Sequence, residues 1–284
     1  MSQDAVDALV QLLDLEPIEV NIFRGLSPDE DRQRVFGGQV AGQALVAAAR
    51  TVEPGRPVHS LHAYFLRPGD PTVPILYEVD RIRDGRSFTT RRVVGIQHGK
   101  AIFNLQCSFQ VPEVGLEHQA PMPETPAPED LPDFHERMGP YAEALGDWFH
   151  RPRPIDIRHV DWNPPDRQEP LPPYQRVWLR ADGTLPDDPV LQACVLTYAS
   201  DMTLLDTALL PHGGQWRETN IFMASLDHTM WFHRPFRADE WMLYSQDTPS
   251  ASGGRGLGRG TIHTIDGRLA VTVVQEGLIR VPRP

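Results

Sequence analysis

The sequence has a single lysine, Lys100, in 284 residues. Arginine therefore supplies nearly all of the positive charge, in the planar form that grips phosphates with paired hydrogen bonds. Genome composition accounts for the same bias. Positive charge is scarce in any form: 27 Lys and Arg stand against 38 Asp and Glu, a formal net charge of -11. That balance excludes a general nucleic-acid binder, which needs a basic face. Any anionic ligand must then meet a local basic patch. Cysteine is nearly absent. Cys107 and Cys194 both lie in apolar runs, which marks buried thiols rather than a disulfide and fits a reducing, cytoplasmic setting. The N-terminus MSQDAVDALVQLLDL has neither the basic start nor the apolar core of a signal peptide. No apolar run reads as long enough to span a bilayer, so no membrane partner is expected. The ending RVPRP is not a peroxisomal address.

What is present is ordinary for a globular protein, 40% hydrophobic and 23% charged residues. The chain is organised around residues 188–209, DPVLQACVLTYASDMTLLDTAL. Its apolar residues cover nearly every side of a 3.6-residue helix, which predicts a helix buried on most sides. Asp187 or Asp188 caps its start, with Pro189 in the first turn. Asp201 falls in the middle of this run. A carboxylate there must be paired, hydrogen-bonded or functional, because an unpaired buried charge is costly.

In chain order, residues 4–14 read as a short amphipathic helix and 18–25 as a strand. Residues 35–52, VFGGQVAGQALVAAARTV, read as a second helix that small apolar residues cover on most sides. Gly37 and Gly38 at its start either offer backbone N–H groups to an oxyanion or phosphate, or make a tight turn. Four strand-like segments follow at 59–69, 73–82, 87–97 and 100–111, with hairpin chemistry at DGRS and HGK. Residues 116–152 turn rich in Pro and charge, a linker holding a short helix around 140–149. The second half then repeats the first. Residues 154–162 and 174–182 look like strands, and beyond the buried helix come 225–235, 240–248, a Gly-rich run at 253–262, and 268–279.

Over their first two meander strands the halves align without gaps at an offset of 167, and one inserted residue later Gly99 meets Gly267. Phe65 meets Phe232, Arg67 meets Arg234, Pro68 meets Pro235, Tyr77 meets Tyr244 and Asp80 meets Asp247. A duplicated unit is the direct reading. Each unit is an antiparallel sheet wrapped around one central helix, the enclosure that an all-round apolar helix requires. The expected class is therefore α+β, a double hotdog: an N-terminal unit at 1–115, a Pro-rich linker at 116–152 and a C-terminal unit at 153–284. The two sheets are expected to pack edge to edge.

VFGGQVAGQAL, HSLHAYFLRPGD, DGRSF, YASD, DHTMWFHRPF and VVQEG occur in that order, and along nearly its whole length the chain resembles acyl-CoA thioesterase II. The resemblance implies hydrolysis of acyl-CoA thioesters by a water held between an Asp, a hydroxyl residue and a Gln. These carry over to Asp201 in YASD, Ser225 before LDHTMWFHRP, and Gln275 in VVQEG. The family's usual Thr is Ser225 here, which keeps the hydroxyl and loses the methyl. The resemblance also implies a homo-oligomer. The residues themselves agree on two of the three. Asp201 lies in the apolar run and Gln275 interrupts an apolar strand, so each must find partners. In the first unit Ser225 aligns with Val58, Gln275 with Cys107, and Asp201 falls near Ala48, so one functional site per chain is expected.

Other features are weaker. His228 and His233 are five apart and His59 and His62 three apart on strands, so neither pair faces one metal, and no metal site is expected. GGRGLGRG (253–260) lacks the GK[ST] of a phosphate loop, and no cofactor is expected; close approach of a strand to the buried helix explains its glycines. Asp206 and Asp227 read as capping or salt-bridging groups. Ser200 has no G-x-S-x-G context. Two rivals to the hydrolase remain, a non-catalytic acyl-CoA-binding or regulatory module and a dehydratase. The intact Asp201, Ser225 and Gln275 disfavour the first, and the absence of His from both helices disfavours the second. Arg67, Arg86, Arg91, Arg92 and Arg255 are the candidates to meet the phosphates of CoA.

Overall fold

The structure, a computed structural model, describes residues 2–28, 33–213 and 221–281. In the first half, α1 (Gln3–Leu13) leads into β1 (Glu16–Glu19), β2 (Ile22–Gly25) and α2 (Gly37–Ala49). The meander β3 (Val58–Phe65), β4 (Ile75–Asp84), β5 (Phe88–Gln97) and β6 (Lys100–Gln110) follows. Short helices α3 (Phe134–Met138), α4 (Ala142–Leu145) and α5 (Asp147–His150) occupy the linker. The second half runs β7 (Ile155–His159), β8 (Tyr174–Ala181), α6 (Pro189–Ser200) and a 3-10 helix (Leu205–His212). It closes with β9 (Phe222–Ser225), β10 (Asp227–Phe232), β11 (Met242–Ser252), β12 (Arg255–Thr264) and β13 (Leu269–Arg280).

The strands form one sheet in the order β1-β2-β4-β5-β6-β3-β10-β13-β12-β11-β8-β7, with β9 added on β13. The two halves meet edge to edge where β3 and β10 pair antiparallel, Asp227 opposite Tyr64 and Trp231 opposite Ser60. The repeat is visible in cross-strand chemistry. Asp80 pairs with Arg92 at 3.3 Å, and their counterparts Asp247 and Arg259 pair at 2.6 Å. Inner-face positions alternate as a half-buried sheet requires: Ile75, Tyr77 and Val79 on β4, Leu105, Cys107 and Phe109 on β6.

Both central helices lie inside. Residues 38–48 of α2 are all buried, and α6 buries Gln192 to Thr197 together with Ala199 and Ser200. They run antiparallel in direct contact. A Cβ on Gly38 would lie 2.4 Å from the Tyr198 carbonyl, and one on Gly42 would lie 3.2 Å from the Cys194 carbonyl. Glycines one turn apart thus let the two backbones touch, and larger side chains there would hold them apart. α1 ties the halves together from outside: Ser2 N donates to Asp182 O at 2.7 Å, and Gln3 exchanges bonds with both backbone groups of Thr184.

Several expectations change. Residues 18–25 form a hairpin rather than one strand, turning at Asn21 with φ 62°. The linker helix is broken, because Gly139-Pro140 interrupts it and Gly146 takes φ 53°. The linker also packs: Met122 and Leu131 lie on Trp178, Trp241 and Leu243, and Trp178 Nε1 donates to Pro126 O at 3.0 Å. The helix expected over 188–209 ends at Ser200, which places Asp201 at its C-cap rather than mid-helix. Side chains take over the carbonyls there. Tyr244 Oη donates to Ser200 O at 3.4 Å and Gln175 Nε2 to Thr203 O at 2.9 Å, which removes the need for helical N–H partners. Pro189–His212 is in fact long and apolar enough to cross a membrane by length and composition, but 67% of its most apolar window is buried inside the protein.

The Gly-rich run is β12, and its glycines do mark close approach. Cβ atoms on Gly256 and Gly258 would meet Ala208 Cβ at 2.7 Å and Leu204 O at 2.9 Å. Cys107 and Cys194 are free and buried, and burial pushes both thiols up well beyond their usual range.

Candidate active site

Three segments of the second half bring Asp201, Ser225 and Gln275 together. Asp201 caps α6 with φ -83° and ψ -4°. Ser225 ends β9 and pairs with Gly277 of β13. Gln275 lies on the inner face of β13 and is fully buried. Its Nε2 donates to Asp201 Oδ1 at 2.6 Å and to Ser225 Oγ at 2.9 Å. The Ser225 hydroxyl donates to the same Oδ1 across a longer 3.4 Å. Gln275 Oε1 is buried with no protein partner among the described residues. An acceptor left open beside a carboxylate suits the second O–H of a water held by Asp201.

The first half contributes to this site through α2. The Gly38 backbone N–H donates to the Asp201 carboxylate. A Cβ on Gly37 would sit 2.7 Å from Asp201 Oδ2. The helix start therefore points its positive end at the carboxylate. Of the two sequence readings for these glycines, the anion proves to be the protein's own Asp201. Sequence reasoning missed that the site spans both halves. The signal was the Gly38-x-x-x-Gly42 spacing, which permits close helix contact.

Burial pushes the Asp201 carboxyl up to about 6, against the hydrogen bonds from Gln275, Gly38 and Ser225, which pull it down. Such a group is ionised near neutral pH yet remains basic enough to take a proton from water.

Among the described residues of the first half, the aligned positions Ala48, Val58 and Cys107 carry nothing comparable. Beside Cys107 on β5 stands Arg91, where Gly258 stands beside Gln275. Arg91 is 1% exposed and spends all five N–H donors inside the protein: on Thr51 Oγ1 and O, Arg83 O, Thr90 O and Asp84. It is therefore not a surface arginine for a phosphate. Arg92 and Arg255 are paired with Asp80 and Glu276. Asp227 caps the Glu276 N–H at 2.7 Å, in line with its structural reading. Among the described residues, no group of three His, Cys, Asp or Glu is placed to hold a metal. The sequence also gave no sign that Ser200 and His228 would meet: Ser200 Oγ lies 2.9 Å from His228 Nε2, and both are fully buried.

Comparison with known proteins fits this geometry. A model of the acyl-CoA thioesterase family matches residues 148–278, and one of the acyl-CoA thioesterase N-terminal domain matches residues 27–110. The chain is 46% identical to human acyl-coenzyme A thioesterase 8, over 95% of this chain and 88% of that one. It is 43% identical to acyl-CoA thioesterase 2 of Haemophilus influenzae, over 98% of each. Among solved structures, acyl-CoA thioesterase II TesB2 from Mycobacterium marinum superposes with a TM-score of 0.81 at 48% identity, covering 96% of this chain and 98% of that one. A hot dog fold protein from Alicyclobacillus acidocaldarius, at 21% identity and a TM-score of 0.79, shares the architecture. With fold and sequence agreeing over nearly the whole chain, it belongs to the acyl-CoA thioesterase family.

Proposed function

We infer that this chain hydrolyses acyl-CoA thioesters to free acid and CoA, with Asp201 as general base. The observation that carries the reading is the convergence of Gln275 and Ser225 on one oxygen of a carboxylate that burial has made basic. A water held by Asp201 and Gln275 Oε1 attacks the thioester carbonyl carbon and gives its proton to Asp201. The tetrahedral intermediate then collapses, the C–S bond breaks, and the proton passes from Asp201 to the departing thiolate. The N-terminal end of α2 favours negative charge growing on the carbonyl oxygen. No covalent acyl-enzyme is needed. Release of free thiol from acyl-CoAs of graded chain length tests this directly. A purified, folded chain that binds them and releases no thiol would instead be the non-catalytic acyl-CoA-binding module.

Activity should follow Asp201 ionisation. Only the carboxylate accepts a proton, so kcat/KM should be low below about pH 6 and rise to a plateau above it. A pH–rate profile flat down to pH 5 would count against Asp201 as the base.

The acyl chain has a path along β9. The three steps from Ser225 to Phe222 cover roughly 10 Å. Beyond lies a groove of ≈ 1120 Å³ lined by Leu209, Ile221, Phe222 and Ile279, with the exposed Arg255 and Arg280 beside it. Arg280 suits the anionic CoA, whereas Glu276 already holds Arg255. The two buried free cysteines suit work in a reducing, cytoplasmic setting.

A homo-oligomer is also part of this reading. The linker covers Trp178 and Leu243 on the outer face of the second half's sheet, whereas the first half leaves Tyr64, Leu76 and Phe88 exposed. Light scattering at micromolar concentration should give a mass above the 32.0 kDa of one chain, and a mass equal to it would remove this part of the reading.

A further inference from the structure

We infer that Ser200 and His228 form a buried positioning pair that holds Asp201 against Gln275. The inference rests on the reading of Asp201 as general base. Ser200 is the last residue of α6 and directly precedes Asp201. Its hydroxyl donates to Thr197 O at 3.0 Å, and the same oxygen lies 2.9 Å from His228 Nε2. A serine has one proton, so both bonds form at once only if His228 carries its proton on Nε2 and donates. Burial pulls His228 down to about 4, which keeps the ring neutral at working pH and limits it to one N–H.

The placement of His228 matters as much as its bond. It lies on β10, the strand that joins the halves, opposite Ala63 of β3. The β10–β13 ladder pairs Thr229 with Val274, the chain neighbours of His228 and Gln275, and both side chains reach the end of α6, His228 at Ser200 and Gln275 at Asp201. The pair therefore pins the end of α6 to the strand adjoining the catalytic amide. A shift of the helix end by about 1 Å would carry the 2.6 Å contact between Asp201 and Gln275 beyond hydrogen-bonding reach. His228 and Ser200 are both 0% exposed, so neither touches substrate and Ser200 is no nucleophile. Their effect is exerted through Asp201.

The test uses His228→Leu, His228→Gln and Ser200→Ala in the full chain, with Asp201→Asn alongside. Ser200→Ala removes the hydroxyl without adding volume, so it remains informative if His228→Leu fails to fold. His228→Gln restores an N–H donor near the place of Nε2. In Ser200→Ala and His228→Leu, kcat should fall about 10-fold or more, since displacement of a catalytic group by about 1 Å is that costly. KM should stay within about twofold, because no substrate contact is lost. His228→Gln should recover most of kcat. The acid limb of kcat/KM should also move above about pH 6, because Asp201 loses the Gln275 bond that lowers it. The ionisable groups facing Asp201 from neighbouring elements, Asp206 on the 3-10 helix and Tyr244 on β11, are unchanged in these variants. Folded Ser200→Ala and His228→Leu proteins with wild-type kcat and an unmoved limb would overturn the pair, as would a His228→Gln variant as slow as His228→Leu. If Asp201→Asn itself kept full activity, the base assignment would fail instead, so the two failures are separable.

Discussion

Asp201→Asn is expected to lower kcat by about 10²–10⁴-fold, the usual contribution of a positioned general base. Asparagine keeps the shape and cannot take the proton from water. The same change should not destabilise the protein at neutral pH. The folded carboxyl titrates at about 6 against an ordinary 3.8, so between those values the folded state holds more protons than the unfolded one. Stability therefore falls as pH rises through that window, and ionised Asp201 is a net cost above it. The displacement sets an upper limit of about 3 kcal/mol; water reaching the partly exposed residue reduces it. Thermal denaturation at pH 7 should thus show Asp201→Asn at least as stable as wild type, with thiol release nearly abolished. Its neighbours should matter less. Gln275→Ala removes the 2.6 Å donor and should cost more than Ser225→Ala, which removes a 3.4 Å one, while Ser225→Thr should stay active. Wild-type turnover by folded Asp201→Asn protein would move the base elsewhere.

Gly38→Ala is expected to damage stability and catalysis together. The new Cβ would lie 2.4 Å from Tyr198 O and 2.6 Å from the Phe36 ring. The carbonyl belongs to the backbone of α6 and cannot rotate away, so the helices must separate. Overpacking of this kind costs about 1–3 kcal/mol. The gain in helix propensity from Gly to Ala, about 1 kcal/mol, acts the other way and is the smaller effect. Separation also withdraws the Gly38 N–H from Asp201, so kcat should drop by about 10-fold or more. Gly139→Ala is the control, since Gly139 has helical φ -48° and nothing within 4 Å of a Cβ. It should leave melting and turnover unchanged or slightly raise stability. If Gly38→Ala melted and turned over like wild type, the close helix contact would have no part in building the site.

The sequence carried the outline of the fold because its signals are local or repeated. The meander strands 59–69, 73–82, 87–97 and 100–111 fell within a few residues of β3 to β6, since alternation along a strand needs no knowledge of its neighbours. The 167-residue repeat announced two like units, and their edge-to-edge joining is the β3–β10 pairing. The boundaries that failed were set by partners far away in the chain. The helix over 188–209 stopped at Ser200, where Tyr244 from β11 takes the Ser200 carbonyl and Gln175 from β8 takes that of Thr203 in the turn beyond. The strand at 18–25 folded back on itself at Asn21, and β2 found its partner in β4.

The candidate site divides in the same way. Asp201 and Gln275 stood out as polar residues in apolar runs, and a buried polar group must find a partner wherever it occurs. Ser225 had no such signal and came only from resemblance. That the three share one carboxylate oxygen, that Gly38 from the other half donates to it, and that Ser200 and His228 meet behind it were settled by tertiary structure. Arg91 shows the converse: in sequence it is one more arginine in a strand, and only the fold turns it inward onto Thr51 and Asp84. Periodicity and composition are properties of neighbours along the chain, and they determined the elements and the duplication. The protonation behaviour of Asp201 depends on burial and on donors that lie 24, 74 and more than 160 residues away, and only the folded chain brings these within hydrogen-bonding distance.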